Sequence, residues 1–179
     1  MLNPENCTLI VIDIQENLYK AMDEKEPLLE NLKKIIKGAR AFGLPILVTE
    51  QIPSKIGPTI PEIAELIAGT TPIPKAHFSC CGDERFMEEL KKIPRGQILM
   101  TGIEAHVCVL QTTLDLIDLG YEVHIITDCV SSRTALNRQV AVERLVESGA
   151  IRSSTETALF ELMKVAAGDT FSRMIKIVK

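Results

Sequence analysis

Gln97-Ile98-Leu99-Met100-Thr101-Gly102-Ile103-Glu104-Ala105-His106-Val107-Cys108-Val109 is the stretch that decides the fold. Its first seven residues form a short apolar run of the kind that fills a strand buried on both faces. A helical stretch follows, from Val107 to Leu119. A buried strand feeding a helix is one step of a βαβ unit, and the rest of the chain repeats that step. Thr8–Ile12, Ile46–Thr49, Pro72–Lys75, Tyr121–Thr127 and Ile151–Ser154 supply further strands. Between them, Leu28–Phe42 carries apolar residues at a helical period and stops at Gly43. Pro61–Ala68 begins with a first-turn proline, and Asp83 opens a helix to about Ile93. Asn137–Ser148 ends at Gly149, Thr155 opens another helix, and Phe171–Val178 forms a last one. Pro53 to Pro61 reads as a loop over the sheet edge. The segments between strands are long enough for right-handed crossovers. The expected architecture is α/β: one doubly wound, Rossmann-like domain over 1–179, with a six-stranded, mainly parallel sheet and helices on both faces.

Three polar residues stand where such a sheet does its chemistry. Asp13 closes Leu9-Ile10-Val11-Ile12, Lys75 closes Pro72-Ile73-Pro74, and Cys108 lies between the long strand and its helix. In an open parallel sheet, strand ends border one crevice, so a carboxylate, an ammonium and a thiol can meet there. A cysteine at a helix N-terminus also faces unpaired N–H groups and the positive dipole end, which favour thiolate.

Composition narrows the alternatives. Net charge is −4 with no basic cluster, and the chain has no Trp, two Tyr and five Phe. Neither a phosphate-tracking surface nor a base-stacking platform follows, so nucleic acid is not the expected partner. No apolar stretch approaches the roughly 20 residues of a membrane span. Five cysteines with no CxxC pair read as free thiols of a reducing compartment, and the N-terminus has no basic signal-type region. The expected location is the cytoplasm.

Three blocks, taken together and in order, resemble the isochorismatase-like cysteine hydrolases over essentially the full chain. They are Val11-Ile12-Asp13-Ile14-Gln15, Pro74-Lys75 before a phenylalanine-containing loop, and Thr101 to Val109, with Thr127-Asp128 after the following strand. The run Glu104-Ala105-His106-Val107-Cys108-Val109-Leu110-Gln111 is similar to the small isochorismatase-domain subgroup. The resemblance implies a triad: Asp13 as general base and acid, Lys75 as its cationic partner, Cys108 as nucleophile. It also implies a cis peptide at Ile103–Glu104, turning the Glu104 N–H, with that of Cys108, toward the substrate oxygen. The reaction implied is hydrolysis of a small amide or carbamoyl C–N bond through a Cys108 thioester, without a cofactor. Relatives assemble as dimers up to octamers, which implies a homo-oligomer; Leu110, Leu114, Ile117 and Ser131-Ser132-Arg133 are the residues that could serve it. The chain departs from nicotinamidase-like members in carrying no histidine at Val48-Thr49-Glu50-Gln51, so no metal site is expected. Isochorismatase proper lacks the cysteine and cleaves a vinyl ether, so Cys108 points to the thiol branch.

Each residue also has a plainer reading. Cys108 could be a core thiol, Asp13 a helix cap, and Lys75 a solvated loop cation. Gln15 either lines the pocket or caps a turn, and His77 and Phe78 could reach the pocket. His106 would face a surface or interface. Cys80-Cys81 read as pocket-edge or buried thiols, and Asp128 as a residue holding the loop around Cys108 or the sheet's switch point. Two rival functions stand beside the thiol hydrolase: acid chemistry by Asp13 with Cys108 a spectator, and a silent binding or redox-sensing protein.

Overall fold

Strand β1 (Cys7–Ile12) is buried at every residue, because a neighbour flanks it on each side and helices cover both faces. The computed structural model describes residues 1–179. On one side lies β2 (Ile46–Gln51), with Leu9 opposite Ile46 and Ile12 opposite Thr49. On the other lies β4 (Gln97–Ile103), with Cys7 opposite Gln97 and Ile12 opposite Gly102. The short β3 (Ile73–Lys75) pairs with the end of β2, setting Thr49 opposite Ile73 and Gln51 opposite Lys75. Beyond β4 come β5 (Glu122–Ser131) and β6 (Ile151–Ser153). The order is β3-β2-β1-β4-β5-β6, and every pairing is parallel, so the expected mainly parallel sheet is wholly so. The chain winds outward from β1 in one direction and from β4 in the other. The switch point therefore falls between the carboxyl ends of β1 and β4.

The first half contains α1 (Glu16–Tyr19), α2 (Lys25–Ala41), α3 (Pro53–Ile56) and α4 (Pro61–Ala64). The remaining helices are α5 (Glu84–Lys91), α6 (Leu110–Asp118), α7 (Ala135–Glu147), α8 (Thr155–Met163) and α9 (Gly168–Val178). Alternation along the strands divides the core into two layers. Leu9 and Val11 pack with Leu32 and Ile36 of α2, Leu159 of α8 and Met174 of α9. Ile10 and Ile12 pack on the other face with Phe86 of α5, Leu116 of α6 and Leu145 of α7.

Several boundaries depart from the sequence reading for identifiable reasons. The loop 53–61 contains the single turn α3, started by Pro53 at its first position. The strand expected at Tyr121–Thr127 continues to Ser131, because β5 loops out and then re-pairs. Met100 faces Ile125, but Gly102 faces Val130. The residues thrown out include Asp128, whose Oδ1 accepts from the Thr155 N–H (2.8 Å) and hydroxyl (3.0 Å). Asp128 thus holds the start of α8, not the loop around Cys108. Gly102 lets β4 lie tight against β1: a Cβ there would sit 2.5 Å from the Ile12 carbonyl oxygen, at φ +141°. Only glycine fits.

Candidate active site

Asp13 is the first residue after β1, and it leaves the strand in a left-handed conformation (φ 56°). Such a backbone is costly for a residue other than glycine and concentrates at functional sites. The bend puts the carboxylate, wholly buried, beside β2. Thr49 donates its hydroxyl to Asp13 Oδ1 at 2.7 Å. Lys75 Nζ lies 2.7 Å from Oδ2, both side chains being shut off from solvent. Register explains the meeting. Lys75 is level with Gln51, and Asp13 follows the residue level with Thr49, so the two side chains leave strands with only β2 between them and meet beside its end.

The ammonium is held on several sides. Nζ donates to Gln51 Oε1 (2.6 Å) and to the carbonyls of His77 (3.2 Å) and Phe78 (3.3 Å). Burial alone would depress the Lys75 pKa, but the negative charge of Asp13 reverses this, and the net shift is upward. Asp13 Oδ2 is different. It is buried and makes no directed hydrogen bond beyond the 2.7 Å ion pair, so acceptor capacity is left over.

Cys108 is 3% exposed and within electrostatic reach of both charges. It lies inside a π-helical turn, Ala105–Val109, which runs into α6. π-turns of this kind are frequent at functional sites. Burial pushes the Cys108 thiol up to about 12; the Asp13 carboxylate adds to the push and Lys75 opposes it. Burial thus works against the expected thiolate. Cys108 stands within the turn rather than at its free N–H end, and burial is the largest influence on its thiol. The expected cis peptide at Ile103–Glu104 is corrected, since every peptide bond is trans. The chain reverses instead through Glu104 in the left-handed region (φ 54°, ψ 55°). The Glu104 carboxylate points to Arg133, Oε1 lying 3.0 Å from Nε.

The remaining expected site residues are placed as follows. Gln15 is fully buried, and backbone groups engage its whole amide. Nε2 donates to the carbonyls of Gln51 (3.0 Å) and Gly57 (2.6 Å), while Oε1 accepts from the Gln51 N–H (2.7 Å). It clamps the end of β2 to the turn at Gly57 and offers no free polar atom. His77 and Phe78 are exposed, Phe78 at 55%, and touch the site only through their carbonyls on Lys75. His106 Nδ1 lies 3.0 Å from Ser132 Oγ and 3.4 Å from Glu104 Oε2. Cys80 and Cys81 are free thiols. Cys80 is buried, burial raises its pKa to about 11, and it donates to Thr49 Oγ1 at 3.9 Å.

Sequence reasoning missed Thr49 and Gln51. They alternate on one face of β2, which was the available signal, but their targets depend on strand register. No group of three or more His, Cys, Asp or Glu side chains converges in a metal-binding arrangement. Thr49, Glu50 and Gln51 are engaged with Asp13, Thr59 and Lys75 respectively. A groove of about 620 Å³ between α2 and α7 is lined by Asn31, Arg138 and Arg152 among others, and by none of Asp13, Lys75 or Cys108. No helix is long and apolar enough to cross a membrane.

A doubly wound parallel sheet with a buried carboxylate–ammonium pair at its switch point defines an α/β enzyme fold. Residues 7–157 match the isochorismatase domain. The chain is 36% identical over 177 residues to isochorismatase domain-containing protein 2 of Rattus norvegicus, covering 98% of this chain and 82% of that one. It superposes on the structure of MAR1 ribonuclease from Caenorhabditis elegans with a TM-score of 0.92 at 35% identity, covering 99% and 91% of the two chains. It also superposes on the YcaC product of Escherichia coli, described as an octameric hydrolase of unknown specificity (TM-score 0.91, 22% identity, 98% and 91% covered). The chain belongs to the isochorismatase family of hydrolases. Within it, the small isochorismatase domain-containing proteins are its relatives.

Proposed function

We propose that this protein is a cysteine hydrolase that cleaves the C–N bond of a small amide or carbamoyl compound through a thioester on Cys108. One observation carries the reading: a buried carboxylate with spare acceptor capacity on Oδ2 lies within electrostatic reach of a buried thiol. Because the resting group is a thiol, activation is general-base catalysis concerted with attack. Asp13 takes the Sγ proton as sulfur bonds to the carbonyl carbon. The C–N bond then breaks, and Asp13 returns that proton to the departing nitrogen. A water, deprotonated by the same carboxylate, opens the thioester, releases the acid and restores the thiol. Lys75 stays charged throughout. Its hydrogen bonds to three neutral oxygens hold it in place, so it acts as a fixed charge.

The test is a panel of small amides and carbamoyl compounds with wild type, Cys108→Ala and Asp13→Asn. Intact mass should show an acyl adduct on Cys108 in wild type, and both variants should lose turnover by about 10³-fold or more. Turnover that survives Cys108→Ala would sink the thioester and favour acid chemistry by Asp13. The name of the Caenorhabditis relative raises nucleic-acid cleavage as a second reading. A net charge of −4 with no basic cluster weighs against it, and RNA belongs in the same panel. We also propose a homo-oligomer, supported by exposed Leu136 and Val140 on α7 and checked by light scattering. The free thiols support a reducing compartment such as the cytoplasm.

A further inference from the structure

Strand β2 carries no residue of the proposed reaction, yet two of its side chains on one face engage both charges of the site. We infer that Thr49 and Gln51 are positioning residues: Thr49 fixes which oxygen of Asp13 takes the Cys108 proton, and Gln51 holds the Lys75 charge against that oxygen. This rests on the reading of Asp13 as the base.

The two oxygens of a carboxylate are equivalent until the surroundings distinguish them. Here they do. Asp13 Oδ1 accepts the Thr49 hydroxyl at 2.7 Å, so one lobe is occupied by a charge-assisted hydrogen bond. The donor direction is determined, because an ionised carboxylate has no proton to give and Thr49 is itself within reach of the Cys80 thiol (3.9 Å). The chain therefore runs from Cys80 to Thr49 to Asp13. Oδ2 is left with its ion pair and no directed hydrogen bond. A proton leaving Cys108 thus arrives at Oδ2, while Thr49 stabilises the charge through Oδ1.

Gln51 acts on the cation. Its Oε1 accepts from Nζ at 2.6 Å while its Nε2 donates to the Ala76 carbonyl at 2.9 Å, which fixes the amide orientation. Gln15 Oε1 in turn anchors the Gln51 N–H. Lysine has three rotatable donors on a flexible stem, and these contacts remove that freedom. A neutral amide suits the position. A carboxylate there would compete with Asp13 for the same ammonium.

The experiment is the pH dependence of Cys108 alkylation by iodoacetamide, read by peptide mass spectrometry, which needs no substrate. Wild type, Thr49→Val, Thr49→Ser, Gln51→Glu and Asp13→Asn are compared, with thermal midpoints confirming folding. Thr49→Val keeps the shape and loses the donor, so the carboxylate becomes more basic. The acid limb of the profile should move up by about one pH unit, while Thr49→Ser should overlay wild type. Gln51→Glu should move the limb in the same direction, by adding negative charge beside Lys75, and it decides the matter if Thr49→Val does not fold. A Thr49→Val profile identical to wild type, or equal shifts in Val and Ser, would overturn the proposal while leaving the base assignment intact. An acid limb that survives in Asp13→Asn would overturn the base assignment, and the proposal with it.

Discussion

Lys75 and Asp13 form a pair that neither could leave without harm to the other. Removing two charges from water is expensive, and the pair offsets that cost only through its short contact and the surrounding hydrogen bonds. Lys75→Met leaves Asp13 as an uncompensated buried carboxylate and is expected to cost about 3–5 kcal/mol in urea unfolding. Asp13→Asn combined with Lys75→Met should cost clearly less than the sum of the single changes, because the double variant buries no net charge. Additive losses would show that the pair is not coupled. Sequence position made Asp13, Lys75 and Cys108 candidates, since each ends or follows a strand, and the family resemblance gave them roles; the structure brings Asp13 and Lys75 into contact. Position says less about the ionisation of Cys108. The helix dipole is legible from a residue's place in a run, whereas burial depends on what packs above it, and here burial dominates.

At the scale of elements, the site end of the sheet is shaped by backbone that ordinary residues adopt with difficulty. Asp13, Ile52 and Glu104 all have positive φ, and Ile52 is β-branched, which makes its conformation rarer still. Gly102 serves the same end by letting β4 approach β1. Gly102→Ala would drive a methyl into the Ile12 carbonyl and is expected to destabilise by about 3 kcal/mol or more. A lowered urea midpoint, or accumulation of insoluble protein, checks it. Gln15→Leu removes the clamp on Gln51 and Gly57 while keeping apolar bulk. Amide hydrogen exchange at Gln51, whose N–H donates to Gln15 Oε1, should accelerate by about fivefold or more relative to the wild type, since a buried hydrogen bond is worth about 1 kcal/mol. An unchanged rate would show that the antiparallel bridge between Gln15 and Thr59 suffices. These features were hidden in the sequence for one reason. A strand's period identifies its faces but not its neighbours, and Thr49 and Gln51 read as ordinary alternation until β2 is seated between β1 and β3.

For the molecule as a whole, the thiols set the alkaline limit. Cys7, Cys80, Cys81, Cys108 and Cys129 all have raised pKa values, in each case chiefly because burial disfavours the charged form. An unfolded thiol releases its proton near pH 9, while these hold theirs to higher pH. Between those limits the folded state binds more protons than the unfolded one, so stability falls as pH rises. Lys75 acts in the same direction, since a cation with a raised pKa stabilises below its unfolded value near 10.5 and loses that contribution above its folded one. The thermal midpoint is therefore expected to be level from pH 7 to 8.5 and to drop steeply from pH 9 to 11. A flat profile across that range would contradict the burial of these groups. The winding order carries a further consequence, one of timing. The central pair β1–β4 joins residues about 90 positions apart in the chain, and the parallel sheet has no local hairpin to nucleate it. Asp13 and Lys75 lie on one side of that seam in the sequence and Cys108 on the other. A nascent chain emerging from the ribosome cannot bring Asp13, Lys75 and Cys108 together until the second half has been synthesised. Until then the thiols are exposed and titrate as ordinary cysteines, so the protein is most vulnerable to electrophiles during its own synthesis.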